Sequence, residues 1–172
     1  MNARVDALRA AFDQGFAAAP LDVTVGESLL AIHAGSRPLV VRLTEVSELF
    51  VDWKVTSVPS TVPELIGITG FRGTLLPVYD LGLLLGYAKS EAPRWLLVTA
   101  VTPVGLAFDG FEGHVTVPAG SLVSSHAQAL GDRRVPEVAH VQGVARPLVS
   151  LVTVLDAIRN RAAREGPKRS DE

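Results

Sequence analysis

The chain has 172 residues, 48% of them hydrophobic and 20% charged, with a formal net charge of −2 and no cysteine. That is ample apolar material for one domain, or for two small subdomains on a common core, and it excludes general disorder, disulfides, thiolate metal sites and cysteine nucleophiles. The slight negative charge and a pI near 6.1 give no global attraction to nucleic acid or to an anionic membrane, and the lack of thiols suits a reducing cytosol.

Residues 1–19 predict a helix. Val5, Leu8, Phe12 and Phe16 recur at steps of three and four and form one apolar stripe, and Pro20 limits it. The stripe docks on the domain behind it or serves a partner, and intramolecular packing is the favoured reading. Arg4, Asp6, Arg9 and Asp13 interrupt the segment, which is unlike a secretory signal. Residues 27–33 and 38–43 predict two strands joined by the hairpin loop Ala34-Gly35-Ser36-Arg37. Thr44 is placed to cap a short helix with Glu45 near its positive end. Leu43, Val46, Leu49 and Phe50 share one face of that helix, and Glu48 points outward. Residues 53–58 predict a third strand.

The stretch 58–86 organises the chain. After a turn at Pro59 it predicts a strand over 65–71, a corner at Gly70-Phe71-Arg72-Gly73, and a strand over 74–79. Asp80 then caps an apolar helix over 81–85 that stops at Gly86. The two corner glycines make a sharp bend cheap and lift Arg72 onto an exposed rim. There its guanidinium is an interaction post or simply a solvated turn residue.

Residues 89–93 read as a polar loop. Strands follow over 94–101 and 104–108, broken at Thr102-Pro103, and then over 111–117 with an alternating pattern. The longest apolar run, 95–108, is shorter than the roughly 20 residues a bilayer span needs, so no direct membrane insertion is expected. Residues 119–134 read mostly as loop. A last strand pair, 135–144 and 146–149, turns at Gly143. Ser150 opens a helix with the stripe Leu151, Val154, Leu155 and Ile158, and 159–172 reads as a frayed polar tail.

One internal echo stands out. Residues 77–85, P-V-Y-D-L-G-L-L-L, resemble 147–155, P-L-V-S-L-V-T-V-L. In both, a buried strand ends at a capping residue, Asp80 or Ser150, and runs directly into an apolar helix. Many short strands in two such halves favour barrels or a sandwich over a parallel α/β sheet.

Motifs for chemistry are missing. There is no Walker loop, dinucleotide fingerprint or Gly-x-Ser-x-Gly elbow. His33, His114, His126 and His140 are spread without metal-ligand spacing, so neither a metal nor a cofactor is expected. Asp80 sits where a receiver-domain phosphoacceptor would sit, but no acidic pair accompanies it near the N-terminus. A small hydrolase with a dispersed Ser/His/Asp set remains an alternative, because triads are set by geometry.

Residues 63–73, P-E-L-I-G-I-T-G-F-R-G, followed by Leu76-Pro77-Val78-Tyr79-Asp80-Leu81, resemble the CheW-like family, the coupling proteins of bacterial chemotaxis arrays. The segment Glu45-Val46-Ser47-Glu48-Leu49 lies at the family spacing from Arg72. The resemblance covers about 27–160 and divides the chain into an N-terminal amphipathic helix (1–20), a CheW-like domain (21–160) and a charged tail (161–172). It implies a mainly β fold: two SH3-like five-stranded β-barrels sharing a hydrophobic core, with short helices and N- and C-terminal helices. It implies no catalysis, a cytoplasmic place at membrane-associated receptor arrays, and two partners. These are the tip of a methyl-accepting chemoreceptor and the regulatory domain of a chemotaxis histidine kinase. It implies a receptor interface at Val46, Glu48, Arg72 and Gly73.

The chain departs from the family at Gly70-Phe71-Arg72, where Asn-Leu-Arg is usual, and at Gly82, where Arg is frequent. These departures leave the pathway open between flagellar chemotaxis and an alternative system. A second alternative is an SH3-like nucleic-acid module using Arg159, Arg161, Arg164, Lys168 and Arg169. Glu165, Asp171 and Glu172 dilute that tail and no aromatics interleave it, so nucleic acid is not the expected partner.

Overall fold

The structure is a computed structural model that describes residues 26–118, 120–124 and 137–164. The predicted helix over 1–19, most of the predicted loop after Ser124 and the last residues of the tail lie outside the described residues. In chain order the elements are β1 (Gly26–Ala34), β2 (Arg37–Arg42), a 3-10 turn (Leu43–Glu45), β3 (Val46–Val51), β4 (Leu65–Phe71), β5 (Thr74–Asp80) and α1 (Leu81–Leu84). They continue with β6 (Trp95–Thr99), β7 (Gly105–Phe108), β8 (Gly110–Pro118), β9 (Leu122–Ser124), β10 (Glu137–Val141), β11 (Val144–Val149) and α2 (Leu151–Arg164).

The strands form two mixed sheets. One has six strands in the order β8-β1-β2-β11-β10-β9, the other five in the order β3-β6-β7-β5-β4. Pairing is antiparallel except between β2 and β11 and between β5 and β7. Those two parallel pairs involve the two halves of the sequence echo: β5 runs into α1 as β11 runs into α2. Among the described residues no ladder joins the edge strands of either sheet. The barrels implied by resemblance are therefore present as two hydrogen-bonded sheets of unequal strand number, not as two closed five-stranded ladders.

Period-two alternation decides where the core sits. On β1, Leu30, Ile32 and Ala34 face a core shared by both sheets, while Leu29 and Ala31 face a core inside the six-stranded sheet. On β2, Leu39 and Val41 face the shared core and Val40 the inner one. The five-stranded sheet repeats the scheme: Leu97, Leu106 and Phe108 face the shared core, and Leu96, Val98 and Ala107 face inward. The two helices fill the seam with Leu81, Leu84, Leu151, Val154 and Leu155.

Four expectations are corrected. Residues 46–51 form strand β3, not a helix; only the 3-10 turn Leu43–Glu45 precedes it, and Thr44 lies inside that turn and does not cap it. The cause is a register slip between Val46 and Glu48 against β6. The slip puts Val46 and Leu49, three residues apart, on the same shared-core face, which mimics a helical period. Residues 53–58 form no strand, only a single bridge between Thr56 and Ile68. The stretch read as loop contains β9, paired to β10. Helix α2 runs on to Arg164 where a frayed tail was expected after Ile158. It is held there by Arg159 donating to Thr102 Oγ1 at 2.5 Å and by an ion pair between Arg161 and the largely buried Glu64.

Both sheets curl strongly. Glu48 on β3 and Arg72 beyond β4 lie at opposite edges of one sheet, yet their side chains pair. Thr56 exchanges both main-chain hydrogen bonds with Ile68 on β4, at 2.8 and 2.9 Å. This crossing needs Gly67, because a Cβ there would sit 2.1 Å from the Thr56 carbonyl oxygen. In the other sheet Glu112 on β8 reaches Arg146 on β11, with Oε2 to Nη1 at 2.7 Å. Glu112 is the extra residue of a bulge against β1, and its other oxygen bonds His33 Nε2. Burial opposes its charge, but Arg146 and His33 outweigh that and hold its carboxyl below the usual carboxylate range.

Two predictions follow from this packing. Gly67→Ala is expected to lose at least about 2 kcal/mol in urea unfolding, because main chain must shift, while Gly70→Ala costs little, having open space at its Cβ. Because the folded-state value for Glu112 is depressed, its contribution is present above the unfolded value of about 4.5 and is lost as pH falls through the lower folded value. Thermal melts of Glu112→Gln are expected to lie below wild type at neutral pH and to converge with it in acid.

Candidate functional site

The β4–β5 hairpin closes on the pair Phe71 and Thr74, leaving Arg72 and Gly73 as its loop. Their φ values are +48° and +79°, the left-handed pair of a type I′ turn that matches strand twist. Glycine takes this conformation freely, whereas arginine does so at a cost on the order of 1 kcal/mol. Gly70, expected in the corner, instead lies within β4 opposite Leu75.

The turn holds the Arg72 side chain 71% exposed, with its guanidinium 5.3 Å from the Phe71 ring centroid and hydrogen-bonded to Glu48. Glu48 was expected to be exposed, but its side chain is only 25% exposed. Arg72, Gly73 and Glu48 therefore come together. Val46 lies on the same strand as Glu48, half-buried against the shared core, and offers less surface. Sequence reasoning missed Leu75, which is 73% exposed next to this tip. The available signal was Gly70, its cross-strand neighbour, which has no side chain to cover it.

The two capping positions differ in how they are built. Asp80, 1% exposed, accepts from Leu83 N–H at 2.9 Å through Oδ1 and from Ser90 N–H at 3.2 Å through Oδ2. Ser150 Oγ accepts from Thr153 N–H only at 3.4 Å. The first amide of α2, on Leu151, donates instead to the Glu45 carboxylate, which arrives from the 3-10 turn before β3. A carboxylate at a helix N-terminus is favoured by the exposed amides and the helix dipole. Glu45 had been assigned to a helix of its own, so this long-range role was invisible in the sequence. A few residues away, Arg42 is gripped by Glu27 and Glu137. Burial works against its charge, but these two hydrogen bonds prevail and raise its already high pKa.

The remaining polar groups are dispersed. His33 pairs with Glu112, His114 and His140 are exposed, and His126 lies outside the described residues. A cavity of about 380 Å³ is lined in part by Asp80 and Ser90, and a smaller one of about 160 Å³ by Trp53 and Trp95; neither is lined by a histidine. Among the described residues no three His, Asp or Glu side chains are grouped to hold a metal ion, and no helix is long and apolar enough to cross a membrane. Of the basic residues of the C-terminal segment, Arg159 and Arg161 are engaged with Thr102, Asp156 and Glu64.

Comparison with known proteins agrees with this architecture. A search among curated proteins finds no match. Among solved structures, the chain is similar to the crystal structure of the scaffolding protein TtCheW from Thermoanaerobacter tengcongensis. The TM-score is 0.65 at 18% identity, over 72% of this chain and 88% of that one. At this identity the likeness shows the fold. The CheW-like domain family matches residues 28–160, from within β1 through most of α2. The chain belongs to the CheW-like domain family.

Proposed function

We propose that this chain is a non-catalytic adaptor of chemotaxis-type signal transduction, coupling chemoreceptor tips to the regulatory domain of a histidine kinase. The family membership supports the adaptor role, as does the scaffolding role named for TtCheW. The observation that carries the receptor assignment is Arg72 itself. A long cation is held in a left-handed turn position that disfavours it and is presented 71% exposed beside an exposed leucine. Strain of this kind is worth retaining where the side chain is used. In this reading Arg72 and Gly73 meet the receptor tip, Leu75 adds apolar contact, Glu48 orients the guanidinium, and Val46 backs the strand. We read each curled sheet as an SH3-like barrel, supported by the pairing of Glu48 with Arg72 and of Glu112 with Arg146. The assignment of Asp80 and Ser150 is structural: they start the two helices that fill the seam. An adaptor of this kind works in the cytoplasm, at receptor arrays.

Arg72→Glu is expected to weaken binding of a soluble receptor-tip fragment at least about thirtyfold, from a truncation cost near 2 kcal/mol at 1.4 kcal/mol per decade. Arg72→Asn separates binding from folding. Asparagine suits a left-handed φ, so its melting temperature should equal or exceed that of wild type while affinity falls. Unchanged affinity of both variants in a calorimetric titration would remove Arg72 from the interface.

A further inference from the structure

We infer that the larger cavity is a binding site for a free zwitterionic amino acid with an apolar side chain. Its volume of about 380 Å³ falls within the range of small-molecule sites, about 300–1,000 Å³. Val55, Leu65, Ile66 and Pro93 supply an apolar wall, and Asp80, Lys89, Ser90 and Glu91 supply polar groups of both signs. Leu65 and Asp80 lie at the open end of the β4–β5 hairpin, whose closed end carries Arg72. The length of strand between the two ends is about 20 Å, so the cavity is separate from the proposed receptor surface.

Two buried groups mark this cavity. Ser90 is 5% exposed, and its Oγ is buried with no hydrogen-bond partner. Buried hydroxyls are rarely left unpaired, and a missing ligand accounts for one that is. Asp80 is almost fully buried, and its carboxylate has only two partners, the amides of Leu83 and Ser90. A carboxylate offers roughly four acceptor positions, and no cation pairs with this one among the described residues. The bond from Ser90 N–H to Asp80 fixes the loop, so that Lys89 and Glu91 flank the orphan hydroxyl. Both are exposed, and neither is engaged by another described residue.

Free charges of opposite sign, two residues apart beside an apolar wall, match a ligand that carries both signs and an apolar body. The ligand's ammonium group donates to Glu91 and lies in the field of Asp80, and its carboxylate meets Lys89 and accepts from the Ser90 hydroxyl. Its side chain rests on the apolar wall. The smaller cavity lacks this pattern, because Arg94, the charged residue that lines it, is already held by Asp52 through two hydrogen bonds of 2.9 Å.

Titration of the isotope-labelled full-length chain with L-leucine, and separately with L-phenylalanine, followed by amide NMR, tests the site. Saturable shifts are expected at residues 55–57, 63–66 and 89–93. Isoamylamine, which lacks the carboxylate, and isocaproate, which lacks the ammonium group, should each bind at least about tenfold more weakly than leucine. Lys89→Gln and Glu91→Gln should each weaken leucine binding by a similar factor without moving the melting temperature, since both side chains are exposed. Shifts absent at these residues with both amino acids at about 10 mM, or shifts there that do not saturate, overturn the site. Equal binding of leucine and isoamylamine also overturns it, because the cavity is then a plain cation site.

Discussion

Everything in this fold depends on strands that are buried on both faces. β1, β2, β6 and β7 each give alternate residues to an inner core and to the core between the sheets. Such strands cannot slip by one residue without exchanging two differently shaped apolar sets, so register is fixed from both sides. The demand is met with small residues where main chains cross. Gly67 lies under the Thr56 carbonyl, and at Gly105 an added Cβ would lie 3.0 Å from a Leu96 methyl. The same demand explains why so little helix is present among the described residues. α1 and α2 plug the seam between two sheets that supply most of the apolar wall themselves.

The legible part of the sequence was the part with ordinary geometry. Strand β4 matches its expected bounds, β5 extends one residue beyond them to Asp80, and the turn into α1 was visible because a capping aspartate stood between an apolar strand and an apolar run. The alternation of β8 was also readable, since one of its faces is covered and the other is open. Misreadings cluster at register slips and long-range contacts. The slip at Val46 and Glu48 turned a strand into an apparent helix. The start of α2 was read correctly, but its C-terminal end was misjudged because partners distant in sequence, Thr102 and Glu64, hold its last turns. No local pattern contains those two residues, nor Glu45, which takes the first amide of the helix. For the candidate site, Arg72 and Gly73 announced a turn and the family resemblance grouped Val46 and Glu48 with them, but no local pattern put the Glu48 carboxylate on the guanidinium, and the bare Gly70 opposite Leu75 was the one local sign of an uncovered leucine.

The internal echo goes further in three dimensions than in sequence. Phe71-Arg72-Gly73-Thr74 and Val141-Gln142-Gly143-Val144 are both two-residue hairpins with left-handed φ at each loop residue. Each hairpin leads through a proline-containing strand into a helix, and each such strand pairs in parallel with a strand from elsewhere. The two units differ at the tip, with arginine in one and glutamine in the other. A shared scaffold thus presents two tips of different charge, arginine on the five-stranded sheet and glutamine on the six-stranded one.

The strand order also has a bearing on how the chain assembles as it is made. The five-stranded sheet draws only on residues 46–108, a continuous stretch that can pair as soon as it emerges. The six-stranded sheet is built from both sides of that stretch: β1 and β2 come first, while their neighbours β8 and β11 are synthesised after it. Until those arrive, the early hairpin carries apolar residues on both faces and two open edges, the condition in which nascent chains mispair. The six-stranded sheet is thereby the later and slower of the two to close, since its pairings span most of the chain.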